Sequence, residues 1–436
     1  MDVQQDLDFS LPFDGFDGFT TLARSNSRVL QTRTIHIKID KDPQASSYRV
    51  TATGPPGTPL DYDGNAPYSG RLTVSHEQIS QSLEDIHDAW LKATVLYKFE
   101  GCYPFEGFPE QILGRRNARE LLQEACETLA RAGQRLYGEI FESGDEDLNL
   151  LAAVLSQQLR SGPQIVTVTS PDLFVPWGLL YVHPEEQQAL HAGGAAVWDG
   201  FLGYTHLIEH SLGRVDGYSP FIDHAGERPK AGLYLDTRLE KKDASDCPLG
   251  PVRDVFDTHA VSQEWTTKFE TARRLTSSDC SDHIMFFGAH ATGNRTDHRG
   301  QKSARIILTD DNPIIAGDIA DWARHRPQLL PSPLCFMMAC EGGRAGQHDQ
   351  QGLARPLFKL GVGCLVGPQI EVPPSVASSL ATRFFEEFFK GERAACILRD
   401  LTRDFISEHA SPLGLAFTLI RGIDTCLIHS PEAETP

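Results

Sequence analysis

Two short apolar runs constrain this chain most. Ile284-Met285-Phe286-Phe287-Gly288-Ala289-His290 and Leu334-Cys335-Phe336-Met337-Met338-Ala339-Cys340 are each apolar throughout, reach a small residue, and then present a polar side chain. Runs that are apolar on consecutive positions read as strands buried on both faces, which belong to parallel sheets. In such sheets ligands sit beyond the carboxyl ends of the strands. The pattern therefore predicts His290 and Cys340, fifty positions apart in sequence, at one cleft.

A histidine beside a cysteine can take the thiol proton and leave an attacking thiolate, the core of a cysteine peptidase. The composition fits such an enzyme and excludes other classes. With 436 residues there is room for two or three domains. Fifty-nine acidic residues face 40 basic ones, a net charge of −19, which argues against a nucleic-acid binder. No stretch reaches the ~18–20 apolar residues of a membrane span, and Met1-Asp2-Val3-Gln4-Gln5-Asp6 lacks the basic start and apolar core of a secretion signal. The nine cysteines are odd in number and form no CxxC pair, so neither a zinc ribbon nor a disulfide framework is expected; a cytoplasmic setting fits.

Along the chain, residues 1–32 read as a flexible tail holding the repeat Phe13-Asp14-Gly15-Phe16-Asp17-Gly18-Phe19. Residues 33–110 read as an N-terminal β/α element that regulates or recruits, with alternating strands at Thr34–Ile39 and Tyr48–Thr53 and a helix over 75–97. A helix over 117–141, a strand at Ile165–Val168 and a strand at Gly203–Ile208 follow, and a Gly-, Pro- and Asp-rich boundary lies in 212–229. The last 200 residues alternate strands (231–235, 283–289, 305–309, 333–339, 362–367) with helices (265–275, 316–323, 353–360, 375–390, 394–409) and close on a strand near 417–428. Such alternation predicts an α/β fold with a mostly parallel sheet flanked by helices.

Four segments together resemble a known family. Phe286-Phe287-Gly288-Ala289-His290-Ala291 is similar to the strand-then-histidine motif of the CHAT domain, a caspase-like module of peptidase clan CD. Met337-Met338-Ala339-Cys340-Glu341-Gly342-Gly343 resembles its strand-Ala-Cys-Glu-small-Gly motif, and caspases share a histidine about fifty residues before their cysteine signature. Gly352–Leu357 with Gly361–Gly367 resembles the helix and strand after the nucleophile, and Val175-Pro176-Trp177-Gly178-Leu179-Leu180-Tyr181 the upstream Pro-Trp-Glu-Leu-Leu element, with Gly178 in place of the Glu. The resemblance implies a caspase-like catalytic domain over 226–430, preceded by a degenerate caspase-like half over 111–225. It implies a cysteine endopeptidase that needs no cofactor and no metal and cuts a partner protein once an upstream sensor or activator is triggered. It also implies a role in prokaryotic stress or antiviral defence, with a gasdermin-like pore former or another effector as substrate.

In this reading His290 is general base and then acid, and the backbone N–H groups of Ala291 and Cys340 hold the developing oxyanion. Many CHAT sequences have glycine where Ala291 stands. Cys335 should lie inert inside its strand. The substrate side chain would be read by residues after neighbouring strands: Asp236 or Glu371 would select a basic residue and Arg238 an acidic one, with Gln369 beside them, and the preference leans to a basic or large neutral residue. Two other readings stay open. One is a catalytically idle caspase-like scaffold that binds peptides. The other is a zinc peptidase built on His206-Leu207-Ile208-Glu209-His210, which matches HxxEH and would need both histidines on one helix face.

Overall fold

The structure is a computed structural model. It describes residues 29–42, 47–61, 67–105, 118–183, 195–213, 218–240, 247–292, 304–325, 332–338 and 352–428, with backbone alone for His76, Ala195, Ala196 and residues 290–292. The Phe-Asp-Gly repeat, Cys340 and Glu341–Gly343 lie outside the described residues.

The first half of the chain begins with three strands, β1 (Ile35–Lys41), β2 (Tyr48–Thr53) and β3 (Tyr68–Leu72). Helices α1 (His76–Ala93), α2 (Ala118–Phe141) and α3 (Glu146–Arg160) follow. Then come β4 (Ile165–Thr169), the short helix α4 (Leu202–Thr205) and β5 (Leu207–Ser211). A Ser75 capping box starts α1, and the Asp145 side chain caps α3 by accepting from the Leu148 N–H.

The second half carries β6 (Phe221–Asp223), β7 (Lys230–Leu235), α5 (Gly250–His259), β8 (Val261–Trp265), α6 (Lys268–Thr276) and β9 (Ile284–Gly288). A small antiparallel sheet follows from β10 (His290–Thr292), β11 (Arg305–Ile307) and β12 (Pro313–Ile315). Next are α7 (Ala316–His325), β13 (Leu334–Met337), α8 (Ala354–Leu360), β14 (Cys364–Pro368), α9 (Pro374–Phe388), α10 (Ala394–Ser407), β15 (Phe417–Ile420) and β16 (Cys426–Ile428).

Eleven of these strands make one sheet in the order β3-β2-β1-β4-β5-β15-β14-β13-β9-β7-β8. It is mostly parallel and flanked by helices, as the alternation predicts; the antiparallel pairs are β1–β2, β2–β3 and β14–β15. Because β15 runs antiparallel to β14 but parallel to β5, the carboxyl ends of β4 and β5 lie on the rim opposite those of β13 and β14. The strands β1–β3 of the 33–110 segment share this sheet through the parallel pair β1–β4.

The two halves are covered differently. In β9, Ile284 and Phe286 enter the core shared with α5, α9 and α10, while Met285 and Phe287 enter a second core with α6, α7 and α8. β13 alternates in the same way, with Leu334 and Phe336 on one side and Cys335 and Met337 on the other. In β1 only the isoleucines are buried; His36 and Lys38 face out. Around β13, Phe336 packs on Phe286, Phe384 and Phe385 at ring distances of 6.1, 5.2 and 5.4 Å. This cluster clamps the adjacent strands β9 and β13 onto α9, and removing one such ring typically costs about 3–5 kcal/mol.

Candidate active site at the carboxyl rim

β9 and β13 are parallel neighbours in register: Leu334 faces Ile284, Cys335 faces Met285, Phe336 faces Phe286 and Met337 faces Phe287. Beyond the strand ends the Met338 N–H still donates to the Phe287 carbonyl at 2.9 Å. On the other flank of β9, Leu235 faces Gly288, and the Asp236 N–H donates to the Gly288 carbonyl at 2.8 Å. On the other flank of β13, Phe336 faces Val366, and the Gln369 N–H donates to the Ala416 carbonyl at 2.7 Å. One rim thus collects the chain just after Leu235, Gly288, Met337 and Pro368. The backbone at His290 and Ala291 runs extended in β10, paired with Ile307 and Ile306, a course open to any L-residue, so alanine is unstrained where CHAT sequences often carry glycine.

Local sequence explains where β14 begins, at the end of the strand opposite this rim. α8 ends on Gly361, whose φ of 112° suits glycine, and its N–H bonds back to Leu357 and Phe358. The Arg421 guanidinium then holds the Val362 and Gly363 carbonyls, the latter at 2.7 Å, just before β14. In the Pro-Trp element, Gly178 makes a turn at Trp177–Leu179 and meets Gly203 backbone to backbone; a Cβ on Gly203 would come within 2.9 Å of the Gly178 Cα.

The charged residues expected to read a substrate do not stand free. Asp236 is fully buried, and both its oxygens are taken by Arg238, through Nε at 2.8 Å and a terminal nitrogen at 2.8 Å. Arg238 also bonds the Leu308 carbonyl at 2.9 Å and pairs with Asp311. Hydrogen bonds to Asp236 and Asp311 raise the guanidinium's pKa. Sequence reasoning offered Asp236 and Arg238 as competing charges; the turn at Thr237–Leu239 folds one onto the other instead. Glu371 is exposed. Gln369 is 3% exposed, and neither its Oε1 nor its Nε2 has a hydrogen-bond partner. Cys335 is fully buried in β13, and burial pushes its thiol pKa up.

The HxxEH segment is not a helix. α4 ends at Thr205, and residues 207–211 form β5. On a strand, histidines four residues apart are separated by about 13 Å, with the intervening Glu209 on the opposite face. His206 Nδ1 accepts from the Gln164 N–H at 3.0 Å, and His210 Nε2 donates to the Ser170 carbonyl at 3.0 Å. Glu209 binds Arg33, the Thr167 hydroxyl and the Gly422 and Ile423 N–H groups. This overturns the zinc-peptidase reading: an extended backbone cannot converge the three side chains on one ion. Among the described residues no group of three or more His, Cys, Asp or Glu side chains could hold a metal, and no helix is long and apolar enough to cross a membrane.

Two crystal structures of Saccharomyces cerevisiae separase–securin complexes resemble the chain with TM-scores of 0.46 and 0.45 at 9% and 10% identity, covering 89% and 94% of it. The chain spans only 30% and 31% of the length of those separase chains. The complex of RgpB pro- and mature domains from Porphyromonas gingivalis gives 0.39 at 10% identity, covering 70% of this chain and 77% of that one. No curated protein matches the sequence. A family model does: residues 256–416, from α5 through β9, β13 and β14 to the residue before β15, match the CHAT domain. Over these residues the chain is similar to the CHAT domain, the family that its two strand-end motifs also resemble.

Proposed function

We propose that the chain is a cysteine endopeptidase of the CHAT, caspase-like type, working through a dyad of His290 and Cys340. Register is the observation that supports it. β13 pairs with β9 at a shift of fifty positions, and the same shift separates His290 from Cys340. His290 and Cys340 each follow, three positions on, from Phe287 and Met337, which face each other on adjacent strands.

His290 takes the Cys340 proton, and the thiolate attacks the scissile carbonyl. The Ala291 and Cys340 N–H groups receive the oxyanion, where one lost donor typically costs about 3–4 kcal/mol of barrier. The imidazolium then protonates the leaving amine. Water, deprotonated by His290, hydrolyses the thioester and restores the thiol. Under this reading residues 226–430 are the catalytic domain, 111–225 a degenerate caspase-like half, 33–110 a regulating or recruiting element and 1–32 a tail. The substrate is a specific partner protein, and the setting is a cytoplasmic prokaryotic stress or antiviral response under an upstream sensor; the CHAT match supports that assignment. A gasdermin-like pore former is the first substrate to try.

The test incubates wild type, Cys340→Ala and His290→Ala with the products of neighbouring genes. Cleavage by wild type alone is expected. Iodoacetamide should also modify Cys340 below about pH 8. Cleavage that survives Cys340→Ala would sink the proposal, and a reactive thiol without any cleavage would favour the idle scaffold.

A further inference from the structure

The eleven-stranded sheet ends on β3 at one side and on β8 at the other. End strands present unpaired N–H and C=O groups, and proteins guard them with lysine, proline, bulges or a covering segment. β3 is guarded. The Arg71 N–H donates to the Asp145 carboxylate at 3.0 Å, the Asp145 N–H donates to the Arg71 carbonyl at 3.2 Å, and Gly144 bridges Leu72. β8 is bare: Val261-Ser262-Gln263-Glu264-Trp265 holds no lysine, proline or glycine. β7 fixes its inner side. The Val261 N–H donates to the Pro229 carbonyl at 2.8 Å, so Val261, Gln263 and Trp265 turn their backbone groups inward. The N–H and C=O groups of Ser262 and Glu264 therefore point away from the sheet, and among the described residues no hydrogen bond reaches them. The open stretch ends at Thr266, whose carbonyl accepts from the Thr309 N–H at 3.0 Å.

We infer that β8 pairs antiparallel with β8 of a second copy of this chain, about a two-fold axis at Gln263. That register sets Ser262 opposite the partner's Glu264 and uses every outward backbone group of the strand. Centring the axis on Glu264 would set like charges face to face. Centring it on Ser262 would set Val261 against a polar glutamine. The Gln263 register instead sets Val261, 51% exposed, against the partner's Trp265, at the end of the strand where α6 begins. Phe269 and Ile315 stand exposed at that end, at 73% and 39%, on segments tied by Lys268 donating to the Pro313 carbonyl at 2.9 Å. The apolar start of one strand thus meets the apolar finish of the other, twice per dimer. On the other face Glu264 is already paired with Arg253 at 2.6 Å, so it enters the joint neutralised. A strand complementary to itself in this direction favours a second copy over a different protein.

The test follows the mass of the full chain by sedimentation equilibrium from about 1 to 100 μM, with circular dichroism as the check on folding. Wild type should dimerise within that range. Ser262→Pro removes an outward N–H and leaves the ladder to β7 untouched; it should weaken the dimer about tenfold or more. Val261→Lys keeps every backbone bond and should weaken it by a similar factor, and it decides the matter if Ser262→Pro fails to fold. Mild oxidation of Gln263→Cys should give a covalent dimer whose crosslinked peptide joins position 263 to itself, since residues opposed in this way have Cβ atoms about 4.5–5.5 Å apart. A wild type that stays monomeric at the highest concentration would overturn the inference and leave the edge to an extended segment of another protein. So would a dimer of unchanged affinity in the folded variants, or oxidation of Gln263→Cys that never links position 263 to itself.

Discussion

The half-sheet β4–β5 and the half-sheet β9–β13 are built from similar apolar strands, yet their carboxyl rims differ. After β14 the Gln369 side chain is buried with both ends of its carboxamide unpartnered. After β4 and β5 the equivalent rim is plugged: the Ser170 carbonyl takes His210, and the Phe174 ring lies against the same imidazole at 4.8 Å. Coverage differs too. Helices bury both faces of the second half, whereas the first half leaves His36, Arg49 and Thr169 on an open polar face. A strand buried on both faces is held in one register, because a slip would misplace two cores at once.

The contrast can be broken most sharply at the sulfurs. Cys340→Ala should lower kcat/KM at least ~10³-fold, whereas Cys335→Ala, five positions earlier and inside the core, should stay within ~3-fold. Equal losses would mean that position along the strand is not what matters. Next come the two kinds of anchor. Phe336→Ala should cost about 3–5 kcal/mol in urea unfolding, while Arg49→Ala on the open face should cost under about 1 kcal/mol. At the joint between the halves, Glu209→Ala strips Arg33 and two backbone N–H groups of their acceptor. A loss of about 3–5 kcal/mol is expected there, without a change in kcat for the molecules that remain folded.

The smallest effect is a pH slope. Burial holds His206 and His210 neutral, with pKa values pushed down to about 3 and about 4. In the unfolded chain each binds a proton near pH 6.5. Their contribution is therefore intact above pH 6.5 and is lost as pH falls toward 4, by up to about 1.4 kcal/mol per unit for each. His210→Gln should flatten the slope of Tm against pH between 6.5 and 4. An unchanged slope would mean that the plugged rim is open to water.

Much of this was legible in sequence. Apolar runs ended by small residues gave β9 and β13, and 3.6-residue periodicity gave α2, α9 and α10. Other elements escaped for physical reasons. β8, Val-Ser-Gln-Glu-Trp, is a sheet edge with its side chains largely in water, so no apolar pattern marks it. α3 was not anticipated, although Asp145 before Glu146 and Asp147 is an N-terminal signal. Gly203–Ile208 read as a strand because its period is short; the chain instead makes one helical turn and then a strand. The fifty-residue spacing was visible, but its agreement with the strand register was not, since register depends on how far two distant segments slide past each other. The neutralising of Asp236 was equally hidden, because it depends on a turn folding Arg238 back within two residues.

The sixth of the eleven strands in spatial order is β15, supplied by residues 417–420. On the ribosome, more than four hundred residues must emerge before the piece that joins the halves exists. Until then β5 and β14 each present a raw edge with unpaired N–H and C=O groups. Synthesis halted short of Phe417 would release one chain with two adhesive sheet edges, and such intermediates are natural clients for chaperones.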